Sequence, residues 1–180
     1  MLDKAAFEEK LLDFPLYMYA WIDPASLTFS ERIRYICQHE CPMYGKTWAC
    51  PPGVGEVCDC KAKCNAFSSC LMIGTITETA DIADIEATLA TRTDHEAVTN
   101  AIGALLKDAG YPPYILSTEA CAECDRCAIL DGQPCRKPER MHPCIESHGI
   151  VLTDTLEQQG FEFQYGDNMV TWYSLLFFNE

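Results

Sequence analysis

The segment CLMIGTIT, residues 70–77, is a continuous apolar run of strand length. Such a run favours a β-strand that is buried in the interior of a domain. Two other segments have a similar character: LYMYAWI, residues 16–22, which ends at Asp23-Pro24, and MVTWYSLLFF, residues 169–178. Shorter candidates are YILST, residues 114–118, and GIVLT, residues 149–153. We therefore predict a β-sheet that includes residues 70–77.

Helical patterns separate these strands. The predicted helices cover residues 5–14, 26–37, 80–90 and 95–110. The last of them ends at Gly110, ahead of Pro112-Pro113. Strands that alternate with helices predict an α/β (mixed α+β) fold in a single compact domain, residues 1–180. We expect a small mixed sheet with flanking helices and cysteine-rich cluster-binding loops at one edge.

The composition limits the classes of partner. Of the 180 residues, 48% are hydrophobic, and no run approaches the roughly 18 apolar residues that span a bilayer. The formal net charge of -14 argues against binding to nucleic acid or to an anionic membrane surface, because both are held by Lys and Arg. An acidic surface could instead dock a basic redox partner protein. The acidic, amphipathic N-terminal segment does not resemble a secretory signal or a basic transit peptide, so we expect a cytoplasmic protein.

Twelve cysteines fall in two blocks, residues 37–70 and 121–144. Disulfide frameworks occur mainly in short exported chains. In a reducing cytosol, clustered cysteines more often bind metal. The two blocks therefore predict metal sites, with disulfides as the alternative.

The second block has the clearer ligand spacing, Cys121-x2-Cys124-x2-Cys127-x7-Cys135. Three cysteines at intervals of three residues bring three thiolates to three irons of one cubane cluster. A turn at residues 131–134 then returns the chain, so that Cys135 can supply the fourth thiolate. Zinc is the alternative, but zinc ribbons use two separated Cys-x2-Cys pairs. The spacing favours a closed [4Fe–4S] cluster over zinc.

The first block has wider spacing, Cys37-x3-Cys41-x8-Cys50. Gly45 permits close approach of the backbone to an inorganic core, and Pro51-Pro52 stiffens the chain after Cys50. Tyr44 and Trp48 either exclude water from a cluster or pack in the core. We predict that Cys37, Cys41 and Cys50 bind a second [4Fe–4S] cluster.

The fourth ligand of this cluster is expected from residues 58–64, where Cys58, Cys60 and Cys64 lie within reach of the loop. If none of them binds, one iron is open to a substrate atom. Cys70 heads the apolar run and is expected to be a buried, inert thiol.

The four histidines are weaker candidates. His39, His142 and His148 lie close in sequence to predicted ligands, so each is either an additional ligand or a surface side chain. His95 begins a predicted helix and is expected to be solvated.

Both blocks carry a resemblance to a known family. The run C-x3-C-P-x-Y-G-x4-C-P-P, followed by C-x2-C-x2-C-x7-C-R-x-P and then ESHGIVL, resembles a family of prokaryotic proteins described as predicted metal-binding proteins. The resemblance extends from Cys37 to about Val151 and implies metal binding, in the form of iron–sulfur, with no established reaction. The matching positions are Cys37, Cys41, Cys50, Cys121, Cys124, Cys127 and Cys135. The family pattern does not include Cys58, Cys60, Cys64 or Cys70, and it has serine at the position of Cys144.

Three functions compete on these observations. The first is electron transfer by two [4Fe–4S] clusters between redox partner proteins. The second is an enzyme, or an enzyme subunit, that uses an open-site [4Fe–4S] cluster for redox or sulfur chemistry on a small-molecule substrate. The third is a structural zinc-binding interaction module.

Overall fold

The apolar run at residues 70–77 lies within a central, largely buried strand of a four-stranded sheet. A computed structural model describes residues 1–163, 166 and 168–180 of the chain. The strands are β1 (Met18–Ile22), β2 (Ser69–Glu78), β3 (Tyr114–Leu116) and β4 (Met169–Phe178). Their order in the sheet is β1-β2-β4-β3. The run is apolar at almost every position because β2 is a central strand that is covered on both faces.

Six α-helices accompany the sheet in the described part of the chain. They are α1 (Lys4–Leu11), α2 (Glu31–His39), α3 (Val57–Asn65), α4 (Ile85–Ala90), α5 (Arg92–Asp108) and α6 (Leu152–Gln158). Short 3-10 helices occupy Pro24–Ser26, Ala128–Asp131 and Glu146–His148. Within the described residues, none of the helices combines the length and the hydrophobicity that crossing a bilayer requires.

Alternate residues of the central strands face two hydrophobic cores. Leu71 and Leu176 pair across β2 and β4 and face a core with the apolar sides of α1 and α5. Met72 and Leu175 pair one position along and face the opposite core, which includes Cys64 of α3 and the α6 side chains. Successive side chains along a β-strand point to opposite faces of the sheet, so neighbouring residues of one strand belong to different cores.

The mixed α/β fold in one small domain is confirmed. The sheet was expected to mix parallel and antiparallel pairs, but its three strand pairings are all antiparallel. The reason is that β4 lies between β2 and β3. The two strands that α4 and α5 connect are therefore parallel to each other without being hydrogen-bonded. A single parallel bridge, between Ser117 and Cys144, follows β3 at the sheet edge.

One local prediction is wrong. Residues 149–153 were expected to form a strand, but Ile150 makes one isolated bridge, to Phe29, and α6 begins at Leu152. Leu152 and Leu156 lie one helical turn apart and pack in the core, which favours the helix.

Residues 58–64, from which the fourth ligand of the first cluster was expected, lie in the helix α3. Cys60 and Cys64 are the buried residues of this helix, together with Val57. A free cysteine behaves as a small hydrophobic side chain, so these thiols take the place that apolar residues hold in most helices.

Candidate metal centres

The first three predicted ligands lie at the end of α2 and in the loop that follows it. The Ser30 side chain accepts a hydrogen bond from Arg32 N and caps the start of α2, which places Cys37 in its last turn. Gly45 adopts a φ of 71° and donates its N–H to Pro51 O at 2.8 Å. This contact folds the loop back and buries Cys50, which is 4% exposed.

The loop brings its cysteines to one cavity. Cys37, Cys41 and Cys50 line a cavity of about 380 Å³. The fourth cysteine in its wall is Cys144, which belongs to the second block. Aromatic and aliphatic side chains form much of the remaining wall, and the carboxylates of Glu119 and Glu146 also line it. We call the four cysteines of this cavity, Cys37, Cys41, Cys50 and Cys144, the first cysteine set.

Burial is the main cause of the raised pKa values of three thiols in the first cysteine set. Burial raises the pKa of the Cys37 thiol, and the neighbouring Cys41 and Glu146 raise it further. Burial also raises the pKa of Cys50 and of Cys144, with a contribution from the charge of Cys50 at Cys144. A metal binds thiolates, so its binding here releases protons and becomes tighter as the pH rises.

The second cysteine set lies at the sheet edge beyond β3. Its members are Cys121, Cys124, Cys127 and Cys135, the four residues that the spacing singled out, and they line a cavity of about 20 Å³. The short helix Ala128–Asp131 and the turn at Gly132, which has a φ of 63°, return the chain toward Cys135. All four thiols are partly exposed.

One ion pair and two hydrogen bonds to backbone carbonyls connect residues in the loop of the second cysteine set. Arg126 and Asp131 form an ion pair at 2.8 Å, and Lys137 Nζ donates to Glu123 O at 2.7 Å. Arg136 Nη1 donates to Arg126 O at 2.8 Å. Burial raises the pKa of the Cys121 thiol against the opposing effect of a backbone hydrogen bond from Glu123.

The two cysteine sets are neighbours. Trp48 lines the cavity of the second set, whereas Cys50, two residues later, lines that of the first. The charge of Cys121 contributes to the raised pKa of Cys50. Trp48 Nε1 donates to Gln133 O at 3.0 Å and so ties the first loop to the second.

The cysteines of α3 are directed elsewhere. Cys58 is exposed, and Cys60 and Cys64 are 2% and 0% exposed. Burial raises the pKa of Cys64 to about 12. None of the three lines the cavity of the first set, so the structure does not bring the expected fourth ligands to it. Cys70 is fully buried on β2, as predicted, and burial raises its pKa.

All four histidine rings have hydrogen-bond partners. The predicted solvation of His95 is wrong, because the ring is 1% exposed and lies between Thr75 Oγ1 and Ser174 Oγ, each at 2.8 Å. His148 is also buried and contacts Tyr114 Oη at 2.7 Å through Nε2. His142 Nε2 contacts Asn100 Oδ1 at 3.0 Å, and His39 Nδ1 donates to Tyr35 O at 2.9 Å.

Sequence reasoning missed a buried cation beside the first cysteine set. Arg34 is 9% exposed and lies one helical turn before Cys37 on α2. Its Nη1 donates to Gly55 O and its Nη2 to Ser147 O, both at 2.7 Å. Among the described residues no carboxylate forms an ion pair with it. Its three-residue spacing from Cys37 was the one available signal.

The donor atoms identify the kind of group that fits. All twelve cysteines, each within the described part of the chain, are free thiols. Across residues 1–163, 166 and 168–180, no three His, Cys, Asp or Glu side chains are positioned to hold a single metal ion as they stand. Each cysteine set is a group of four soft sulfur donors, which suits iron–sulfur clusters or zinc and does not suit magnesium or calcium.

Comparisons with known proteins give one match. Searches of curated proteins and of solved structures find no match to the chain. The model of a family described as "Predicted metal-binding protein (DUF2284)" matches residues 20–178, which include both cysteine sets and all four strands except the first two residues of β1. The chain therefore belongs to this family of predicted metal-binding proteins.

Proposed function

We propose that the protein binds two [4Fe–4S] clusters and transfers electrons between redox partner proteins. The observation that carries this proposal is the grouping of eight cysteines into two separate sets of four, each lining its own cavity. A single structural ion needs only one such set. Two adjacent sets, with Cys50 and Cys121 close enough for their charges to interact, suit electron passage through the protein.

A bound [4Fe–4S] cluster supplies a one-electron couple. The chain contributes the thiolates that hold it and the side chains that limit access of water. Tyr44 lines the first cavity and Trp48 lines the second. Apolar surroundings and hydrogen bonds to the sulfurs are the means by which a protein adjusts the reduction potential.

The charge of the chain supports a particular class of partner. A net charge of -14 favours encounter with basic redox proteins, since complementary charge raises association rates and salt lowers them. We propose that a reduced partner delivers one electron and that an oxidised partner accepts it. A cytoplasmic setting, in which thiols stay reduced, fits twelve free cysteines.

Two observations favour other candidates. The cavity of the second cysteine set, about 20 Å³, is only large enough for a single water-sized sphere, which favours one zinc ion there. The first cavity, about 380 Å³, falls in the size range of small-molecule sites, which favours an enzyme that reduces a bound substrate.

Metal and sulfide analysis of anaerobically purified protein tests the proposal. We expect about eight irons and about eight acid-labile sulfides per chain. Cys124→Ala should lose about half of both and keep the spectrum of the remaining cluster, because Cys124 belongs to the second cysteine set alone. Cys58→Ala, which changes an exposed thiol outside both sets, is the matched control and should keep all the iron. Stoichiometric zinc without sulfide would overturn the proposal.

A further inference from the structure

The geometry points to Cys144 as the fourth ligand of the first cluster, in place of the cysteines at residues 58–64. This inference rests on the proposed function and concerns the ligand that closes the site. Cys144 lines the same cavity as Cys37, Cys41 and Cys50. Its sequence position, in the block of the other cluster, gives no indication of this placement.

The backbone around Cys144 is held in place. Ser117 N donates to Pro143 O at 2.8 Å, and Ile145 N donates to Ser117 O at 3.1 Å. These two bonds form the parallel bridge that attaches the segment to the end of β3. The adjoining Ile145 is 1% exposed and packs in the core. A ligand on such a segment is positioned before a cluster binds, which lowers the entropic cost of binding.

The Cys144 sulfur also has a backbone donor, which opposes the effect of burial on the pKa of this thiol. Ser147 N donates to Cys144 Sγ at 3.3 Å. An amide donor to sulfur stabilises a thiolate and is a common outer contact of iron–sulfur ligands. The nearby Cys37 Sγ lies 4.0 Å from Glu146 O, so Cys37 and Cys144 flank the same short segment of chain.

The alternative ligands fail on position. Cys60 Sγ lies 3.9 Å from Arg34 Nη2 and 3.5 Å from Val54 O, and Cys64 packs in the core below α3. Cys58 is exposed on the other side of this helix. To reach the first cavity, the buried thiols would have to leave the core, and burying them contributes to the stability of α3.

The buried, positively charged guanidinium of Arg34 would favour a negatively charged cluster in the first cavity. A cluster that is held by four thiolates has net negative charge, whereas an unpaired buried cation is costly. Arg34 donates to Ser147 O, three residues from Cys144, and its charge lowers the pKa of Cys37 against the larger effect of burial. A four-thiolate cluster in the first cavity would add negative charge near Arg34, with which no described carboxylate forms an ion pair.

Substitution of the competing cysteines separates the two ligand assignments. Cys144→Ala should lose between one and about four of the roughly eight irons. Where the cluster is retained, one of its irons should be open, and addition of cyanide should shift the EPR spectrum of the cluster. The triple variant Cys58→Ser, Cys60→Ser, Cys64→Ser should keep all the iron and show no cyanide-dependent shift. Cys144→Ser, a change of one atom, provides a second variant in case the alanine protein does not fold.

A Cys144 variant with unchanged iron content, sulfide content and EPR spectrum would overturn the inference. Loss of iron from the triple variant in the same experiment would assign the fourth ligand to residues 58–64 instead. Retention of the second cluster and an unchanged far-UV circular dichroism spectrum show that each variant is folded. Failure of the proposed function is distinguishable, because the unmodified protein would then contain no labile sulfide at all.

Discussion

Protonation of His95 should destabilise the protein by about 2 kcal/mol at pH 5 relative to pH 8. The ring is 1% exposed and lies between the hydroxyl groups of Thr75 and Ser174, with Thr99 Oγ1 at 3.4 Å. None of these groups is an anion. Burial is the main cause that lowers the His95 pKa, to about 4, and the charge of Arg92 lowers it further.

The sign and size of the effect follow from linkage. The unfolded chain has an ordinary histidine pKa near 6.5 and therefore binds a proton at higher pH than the folded protein. The contribution to stability is fully present above pH 6.5 and is lost as the pH falls toward the folded pKa of about 4. Complete loss corresponds to about 3.4 kcal/mol, and about 2 kcal/mol of it has gone at pH 5.

Urea unfolding followed by circular dichroism, at pH 8 and at pH 5, measures this change. His95→Gln removes the titrating ring and keeps an amide that can donate and accept, so it should lower stability at pH 8 by about 1–2 kcal/mol. Its loss of stability between pH 8 and pH 5 should be smaller than that of the unmodified protein by about 2 kcal/mol. Other acid-sensitive groups, including His148 and bound metal, are common to both proteins and cancel in the difference.

The reasoning would be refuted by equal pH dependence in the two proteins. A direct control is the NMR titration of the His95 ring in the folded state. A midpoint near 6.5 would mean that the ring is accessible to water and that the described hydroxyl contacts do not persist in solution.

Two further substitutions test the first loop and its surroundings. Arg34→Gln should lower the reduction potential of the proposed first cluster by some tens of millivolts in a redox titration. A charge interaction of about 1–2 kcal/mol, at an effective dielectric constant near 20, corresponds to a shift of that size in a one-electron couple. Arg32→Gln, on the exposed side of the same helix, should leave the potential unchanged, and equal shifts in both would contradict the assignment. Gly149→Ala and Gly160→Ala change two glycines with the same φ of 75°. A Cβ at Gly149 would lie 2.9 Å from Val57 Cγ1, whereas no atom of the described residues would lie within 4 Å of a Cβ at Gly160. Chemical denaturation should show a loss of about 1 kcal/mol at Gly160 and about 1–3 kcal/mol more at Gly149, and equal losses would show that the Val57 contact yields.

Local sequence patterns determined the elements that depend on neighbouring residues. The apolar run at 70–77 lies in the central strand β2, and apolar residues at helical spacing placed α1 and α5 correctly to within a few residues. The spacing of the second cysteine set is also local, and its four side chains do line one cavity. That these residues bind a cluster stays a prediction until metal analysis is made.

The tertiary structure decided what depends on contacts between distant residues. The insertion of β4 between β2 and β3 makes the sheet antiparallel, and no pattern within a single strand encodes its neighbour. α3 was not recognised because its buried positions are cysteines, which a reader of the sequence assigns to metal before assigning them to a core.

The first cysteine set shows the same limit most clearly. Cys50 and Cys144 are separated by more than ninety positions in the sequence, and they share a cavity only because the bridge between Ser117 and Cys144 brings the second block against the loop of the first. Proximity along the chain favoured residues 58–64, but helix formation turned two of those thiols into the core. Spacing predicts ligands that one loop can gather, whereas a ligand set that is assembled from two segments is determined by how the sheet edge packs.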